Sequence, residues 1–227
     1  MRRTLPSIAA VLVVIPVALV LFAARLTSGA SLAGAIVPPA GAEELATTAG
    51  DDTAVFAGGC FWGVEAVFDH VKGVKHATSG YAGGDLANPS YEQVSTGDTG
   101  HAESVQVIYD PSQISYGKLL QIFFSVVHDP TQLNRQGPDR GTQYRSAIFY
   151  RNAQQQQAAE AYIKQLTAAK TFPRPIVTQV SRLKGFYAAE DYHQNYLANH
   201  PNQLYIVIND KPKVEALRKE FGDVYRN

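Results

Sequence analysis

Apolar positions recur along this chain with different periods, and the changes of period mark out its elements. Thr53 to Ala57 is a short apolar run closed by Gly58 and Gly59, the pattern of a buried strand. Beyond the glycines, Val64, Val67, Phe68 and Val71 return at helical spacing, which predicts a helix whose N-terminus falls at Cys60. Val74 to Gly80 reads as the next strand, followed by a glycine-rich turn around Gly83, Gly84 and Pro89. From Ala102 to Tyr109 the pattern alternates, so that Glu103, Val105, Val107 and Tyr109 share one face and Ser104 and Gln106 the other. Ser115 is placed to cap a helix in which Tyr116, Leu119, Leu120, Phe123, Phe124 and Val127 follow the i, i+3, i+4, i+7 rule. Ser146 to Tyr150 predicts a strand. Ala159, Tyr162, Ile163 and Leu166 predict a second long helix with a Gln-rich outer face, and Val177 to Ser181 a last strand. Ala188 to Asn199 and Lys213 to Phe221 have helical character but no readable place.

The resulting order is strand, helix, strand, strand, helix, strand, helix, strand. It predicts an α+β single domain, a mixed β-sheet with packed helices and a ferredoxin-like split core.

The N-terminus changes the picture of where this domain works. Arg2 and Arg3 precede an apolar run from Ile8 to Ala24, and small residues end in Ala33, Gly34 and Ala35. Residues 1–35 are therefore expected to be a signal peptide or a signal anchor, the run 8–24 lying between a usual signal core and the roughly 20 residues that span a bilayer. Residues 36–52 are rich in Ala, Gly, Thr, Pro and acid without an apolar period, and are expected to form a flexible linker. Residues 53–227 then form the globular domain, long enough for one real core and too short for two. Its expected location is the periplasm or the outer face of the membrane. The chain carries 20 basic and 20 acidic residues, and without the three arginines of the leader the rest is net negative. Nucleic-acid binding gains no electrostatic support from that balance.

The whole sequence holds one cysteine, Cys60, beside its one tryptophan, Trp62. Exported chains are permitted disulfides, so a single cysteine is unusual. Oxidation at Cys60 has to be reversed by a thiol from another molecule. At a helix N-terminus the dipole and the unpaired N–H groups are expected to favour the thiolate. Glu103, on an apolar face, is either an ion-pair partner or a carboxyl kept protonated by desolvation, able to donate a proton.

Other readings compete with these. A lone cysteine is often a small buried hydrophobe, and Phe61 and Trp62 by periodicity alone would be core aromatics. The six histidines, among them His101, His128, His193 and His200, show no compact ligand spacing, so no metal is expected. A cysteine–histidine hydrolase would need His101 or His128 beside Cys60 and an oxyanion hole. A binding domain that grips methionine-containing proteins through Phe61 and Trp62 without turnover is the non-catalytic alternative.

Six ordered motifs favour catalysis. They are Gly59-Cys60-Phe61-Trp62-Gly63, Gly80-Tyr81-Ala82-Gly83-Gly84, the run 97–103 from Gly97 to Glu103, Tyr109-Asp110-Pro111, His128-Asp129-Pro130, and the run 135–146 from Arg135 to Ser146. In these motifs the chain resembles the A-type peptide methionine sulfoxide reductases over most of residues 53–209. The resemblance implies Cys60 as nucleophile, Glu103 as acid, and Tyr81, Asp139 and Tyr144 as the polar groups around the sulfoxide oxygen. It implies Phe61 and Trp62 as the holders of the substrate methyl. It further implies selectivity for the S epimer of methionine sulfoxide, free or in oxidised proteins and peptides, and a cysteine sulfenic acid intermediate. No organic cofactor is expected, only an external reductant: thioredoxin, glutaredoxin or a small thiol. Many members of that family carry further cysteines near the C-terminus, and this chain has none there. A monomer is the expected state.

Overall fold

The computed structural model describes residues 37–41, 45–47 and 49–227; the expected signal or anchor, 1–35, lies outside the described residues. Strand β1 (Asp52–Gly58) leads into helix α1 (Phe61–Asp69), and strand β2 (Val74–Ala82) returns along the sheet. A short helix α2 (Tyr91–Ser95) fills the loop before strand β3 (Ala102–Tyr109). Helix α3 (Tyr116–Ile122) is capped by Ser115, whose hydroxyl accepts from the Lys118 N–H, and continues as a π-helical turn, Phe123–Val127. A small hairpin, β4 (Arg135–Gln136) and β5 (Asp139–Arg140), precedes strand β6 (Ser146–Tyr150) and helix α4 (Ala153–Ala168). Strands β7 (Gln179–Arg182) and β8 (Phe186–Ala188) come next, and helices α5 (Tyr196–Asn199) and α6 (Lys211–Glu220) close the chain.

The six strands lie in the order β7-β6-β1-β3-β2-β8. Pairing is antiparallel throughout except for β6 with β7. The central four, β6-β1-β3-β2, together with α1 and α3 form the ferredoxin-like split core that the element order predicts. Burial follows the alternation read in β3. Val105, Val107 and Tyr109 join the main core under the helices, while Ala102 joins a small cluster with Val55, Ala57 and Phe149 on the other face. At the centre of the main core the Phe56 ring stacks on Phe68 at 5.3 Å and Phe123 at 5.0 Å. Burying one such ring contributes about 1.5–3 kcal/mol.

The stretch expected as a flexible linker docks at its beginning. Val37 is fully buried against α3 and α4; its N–H donates to Ser125 Oγ and its carbonyl accepts from Gln121 Nε2. The Pro38 carbonyl accepts from the Tyr162 hydroxyl at 2.6 Å and the Pro39 carbonyl from Gln165 Nε2. Two proline-preset residues with carbonyls already captured lose little entropy on docking, which composition alone does not reveal.

Candidate active site

The site forms where β1 turns into α1. Gly59 has φ +94°, a conformation glycine adopts freely, and a Cβ there would strike the Gln136 side chain. This turn places Cys60 at the N-cap of α1. Cysteine in that position makes no side-chain cap, so the first helical N–H groups remain available for other partners. The Phe61 N–H donates to Glu103 Oε2 at 3.1 Å. One helix terminus thus carries the sulfur and binds the carboxyl.

Around them lies a cavity of about 270 Å³ lined by Cys60, Phe61, Trp62, Tyr91, Glu103, Asp139, Tyr144, Gln203 and Tyr205. That volume lies just below the usual range for whole small-molecule ligands, on the order of 300–1,000 Å³, and suits a single side chain. Cys60 is 7% exposed and Glu103 3%. Asp139 comes from β5, where its carboxylate takes the Tyr205 hydroxyl, and Tyr144 from the 3-10 turn Thr142–Tyr144. Desolvation pushes both the Tyr144 and the Tyr205 hydroxyl well up, so both are donors at neutral pH.

Burial also pushes Glu103 up to about 8, with the Phe61 N–H opposing and the carboxylates of Asp139 and Asp210 adding to the rise. Glu103 is therefore a neutral acid at pH 7. Cys60 departs from the sequence expectation. Its thiol is raised well above its ordinary value, first by burial and then by the charges of Glu103 and Asp210, against the weaker pull of the Trp62 N–H and Lys213. The helix terminus alone does not make a resting thiolate here, because desolvation and two carboxylates outweigh it.

Tyr81 also differs from expectation. It is fully buried, its ring lies 5.9 Å from that of Phe61, and its hydroxyl donates to Glu190 Oε2 at 2.9 Å. It sits opposite Glu103 in the β2–β3 register and is not among the residues that line the cavity. The tyrosine that lines the cavity beside Tyr144 and Tyr205 is Tyr91, which the sequence reading missed. Ser90 and Gln93 form a capping box that starts α2 at Tyr91, and the Tyr91 N–H donates to Glu190 Oε1 at 2.8 Å. The Ser-x-x-Gln spacing after Asn88-Pro89 was the available signal.

Phe61 and Trp62 form an apolar wall of the cavity. The indole stacks on Tyr196 with centroids 3.8 Å apart, and its Nε1–H donates to His193 Nδ1 at 3.1 Å. His193 is 2% exposed and burial holds it neutral, which leaves Nδ1 free to accept. Removing that acceptor in His193→Leu orphans a partly buried donor, which costs about 1–3 kcal/mol. We expect a KM rise of roughly tenfold at near-constant kcat, with a shift in the emission of Trp62, which reports alone because it is the only tryptophan; His193→Gln, which keeps an acceptor, restores both. Unchanged emission in His193→Leu would show that the histidine does not hold the indole.

The histidines weighed for a cysteine–histidine pair are committed elsewhere. His101 Nδ1 accepts from the Gly84 N–H, and its Nε2 meets the Leu86 carbonyl at 2.8 Å. His128 bonds Ser146 Oγ at 2.6 Å and the Phe123 carbonyl at 3.1 Å, and burial lowers its pKa to about 4. Among the described residues, no group of three or more His, Cys, Asp or Glu side chains is arranged to hold a metal ion.

Comparison with known proteins agrees with this geometry. A peptide methionine sulfoxide reductase MsrA 2 of Mesorhizobium japonicum is 58% identical over 176 residues, which cover 78% of this chain and 90% of that protein. An MsrA of Deinococcus radiodurans is 52% identical across 78% of this chain and 86% of its own. Among solved structures, reduced Mxr1 of Saccharomyces cerevisiae superposes with a TM-score of 0.60 at 34% identity, covering 70% of this chain and 94% of that one. Methionine sulfoxide reductase A of Corynebacterium diphtheriae gives 0.59 at 35% identity, covering 78% and 91%. The family described as peptide methionine sulfoxide reductase matches residues 52–224, most of the chain, and the chain belongs to it.

Proposed function

We propose that the chain reduces methionine S-sulfoxide, free or within oxidised proteins, to methionine through a sulfenic acid on Cys60. The observation that carries this reading is the pairing of a lone sulfur with a neutral carboxyl on one helix terminus at the wall of a one-side-chain cavity. A sulfoxide oxygen leaves only when protonated, so the site has to offer a nucleophilic sulfur and a proton together.

The Cys60 thiolate attacks the substrate sulfur and forms an S–S bond, while Glu103 gives its proton to the sulfoxide oxygen and the S–O bond breaks. The released hydroxide adds to the Cys60 sulfur, the S–S bond breaks, methionine leaves with two electrons gained, and Cys60 is left oxidised as the sulfenic acid. Tyr91 and Tyr144 are placed to donate to the oxygen, in the role expected of Tyr81 and Tyr144. Asp139 acts by orienting Tyr205. Phe61 and Trp62 take the methyl group. One external thiol then displaces water to form a mixed disulfide, and a second thiol releases Cys60.

The reductant is a thioredoxin, a glutaredoxin or a small thiol, since the sequence contains no second cysteine. No metal or organic cofactor enters this chemistry. The leader from Arg2 to Ala35 supports export to the periplasm or the outer membrane face, either cleaved or retained as an anchor through residues 8–24, with a monomeric domain.

Intact-mass analysis after mixing the enzyme with excess S-sulfoxide and no thiol tests the scheme. The expected result is one oxygen on Cys60 and one methionine released per enzyme. Repeated turnover without thiol overturns it, because no internal group can regenerate Cys60.

A further inference from the structure

Helical structure resumes at Leu204 and runs through a π turn, Ile206–Asp210, into α6. The inward positions Ile206 and Asp210 are fully buried. The outward face of this first stretch is apolar: Leu204 is 72% exposed, Val207 43% and Ile208 60%. These three stand at i, i+3 and i+4, one surface of a helix. Farther along, the exposed positions are Pro212, Glu215, Arg218 and Lys219. The apolar surface is therefore confined to the end of the helix that carries Tyr205, and Tyr205 and Gln203 line the cavity. Of the other large exposed apolar side chains among the described residues, Leu45, Leu86 and Leu133 lie far from these three in sequence, and Tyr192 lies against His193. A cluster of this kind beside a functional mouth marks contact with a partner, where scattered ones mark nothing.

We infer that the 204–208 turn is the docking surface for the polypeptide around an oxidised methionine, with apolar neighbours of the sulfoxide lying on Leu204, Val207 and Ile208. The inference rests on the function proposed above and specifies its substrate. The cavity takes one side chain, and Cys60 at its wall is nearly buried. The sulfoxide sulfur lies only about three bonds from its own Cα, so the backbone carrying it has to pass the open side of the cavity, where Gln203 is the exposed lining residue. Its neighbours then fall on the turn that follows Gln203. No residue from Leu204 to Ile208 is charged, so a charged flank lying on these side chains would lose water without an ion pair from them. Apolar flanks gain burial instead.

The test is a Leu204→Ser/Ile208→Ser variant assayed with dithiothreitol on free methionine sulfoxide and on two peptides, one with leucines and one with aspartates beside the sulfoxide. Wild type is expected to favour the leucine peptide, and the variant to lose about tenfold in kcat/KM on it, the effect of roughly 1.4 kcal/mol of lost burial. Activity on free sulfoxide should stay within about twofold, as for other surface changes. Equal losses on all substrates, or no loss on the leucine peptide, overturn the inference. So does an effect confined to the KM for a thioredoxin reductant, or to self-association seen by light scattering, since each assigns the turn another occupant. Wild type that fails on free sulfoxide refutes the proposed function instead, so the two failures are distinguishable.

Discussion

Replacing Cys60 with serine removes methionine sulfoxide reduction supported by dithiothreitol, a fall of at least about 10⁴-fold, on the scale measured when other enzymes lose a nucleophile. The substitution is nearly isosteric at a site only 7% exposed, so the fold is expected to remain, at a cost of about 1–3 kcal/mol for the buried hydroxyl. A hydroxyl is a far weaker nucleophile toward sulfur and cannot carry the oxygen as a sulfenic acid. A thermal melt and the emission of Trp62 check that the loss is chemical and not structural. Surviving activity in a folded variant would remove Cys60 from the reaction and return the site to the binding-only reading. Repeated release of product by wild type without any reductant would instead favour hydrolysis, against which the commitments of His101 and His128 already stand.

The core of this protein was legible because periodicity acts locally. Val64, Val67 and Phe68 can only bury together on a helix, and Val105, Val107 and Tyr109 only on a strand, so the order of elements and the face of Glu103 followed from spacing. The sheet extensions were less visible. β8 is three residues long, and its pairing with β2 depends on contacts distant in sequence. The apolar run Leu204 to Ile208 has no readable period, because a π turn shifts the inward positions there. The docking of Val37 rests on side chains of α3 and α4 that no local pattern reveals.

The site was legible by motif and misread where the motif gave no direction. Tyr81 and Tyr91 both follow α1 and both are tyrosines near glycine-rich sequence. Which one reaches the cavity is decided by Glu190, which accepts the hydroxyl of Tyr81 but only the backbone N–H of Tyr91. That leaves the Tyr91 ring to face the cavity. Charge at Cys60 was misjudged for a similar reason. The helix terminus could be read from sequence, but the depth of burial and the approach of Asp210 could not. Asp210 packs against Gly63, where a Cβ would collide with its carboxylate, so the glycine in the Cys-Phe-Trp-Gly run admits this charge to the first turn of α1.

Those charges predict an unusual pH profile, and Glu103→Gln exposes it. The reacting form needs Cys60 without its proton and Glu103 with one, although burial places Glu103 at about 8 and Cys60 well above its ordinary value. The pair must therefore hold one proton in total. Two are bound at low pH and none at high pH, so kcat/KM rises with pH through a limb near 8 and falls beyond a second, higher limb. In Glu103→Gln the amide neither titrates nor donates a labile acid proton. We expect kcat/KM at pH 7 to fall roughly 10²–10³-fold, the usual contribution of a general acid, and the limb near 8 to disappear. At the same time the Cys60 pKa should drop, because the carboxylate that repels its thiolate is gone. The rate of alkylation by iodoacetamide as a function of pH reads that drop directly. A slower reaction at a more ionised sulfur would separate proton donation from nucleophile activation, which a packing role for Glu103 cannot produce. A variant that keeps both its rate and the limb near 8 would place the acid on another residue of the cavity, with Tyr91 and Tyr144 the nearest donors.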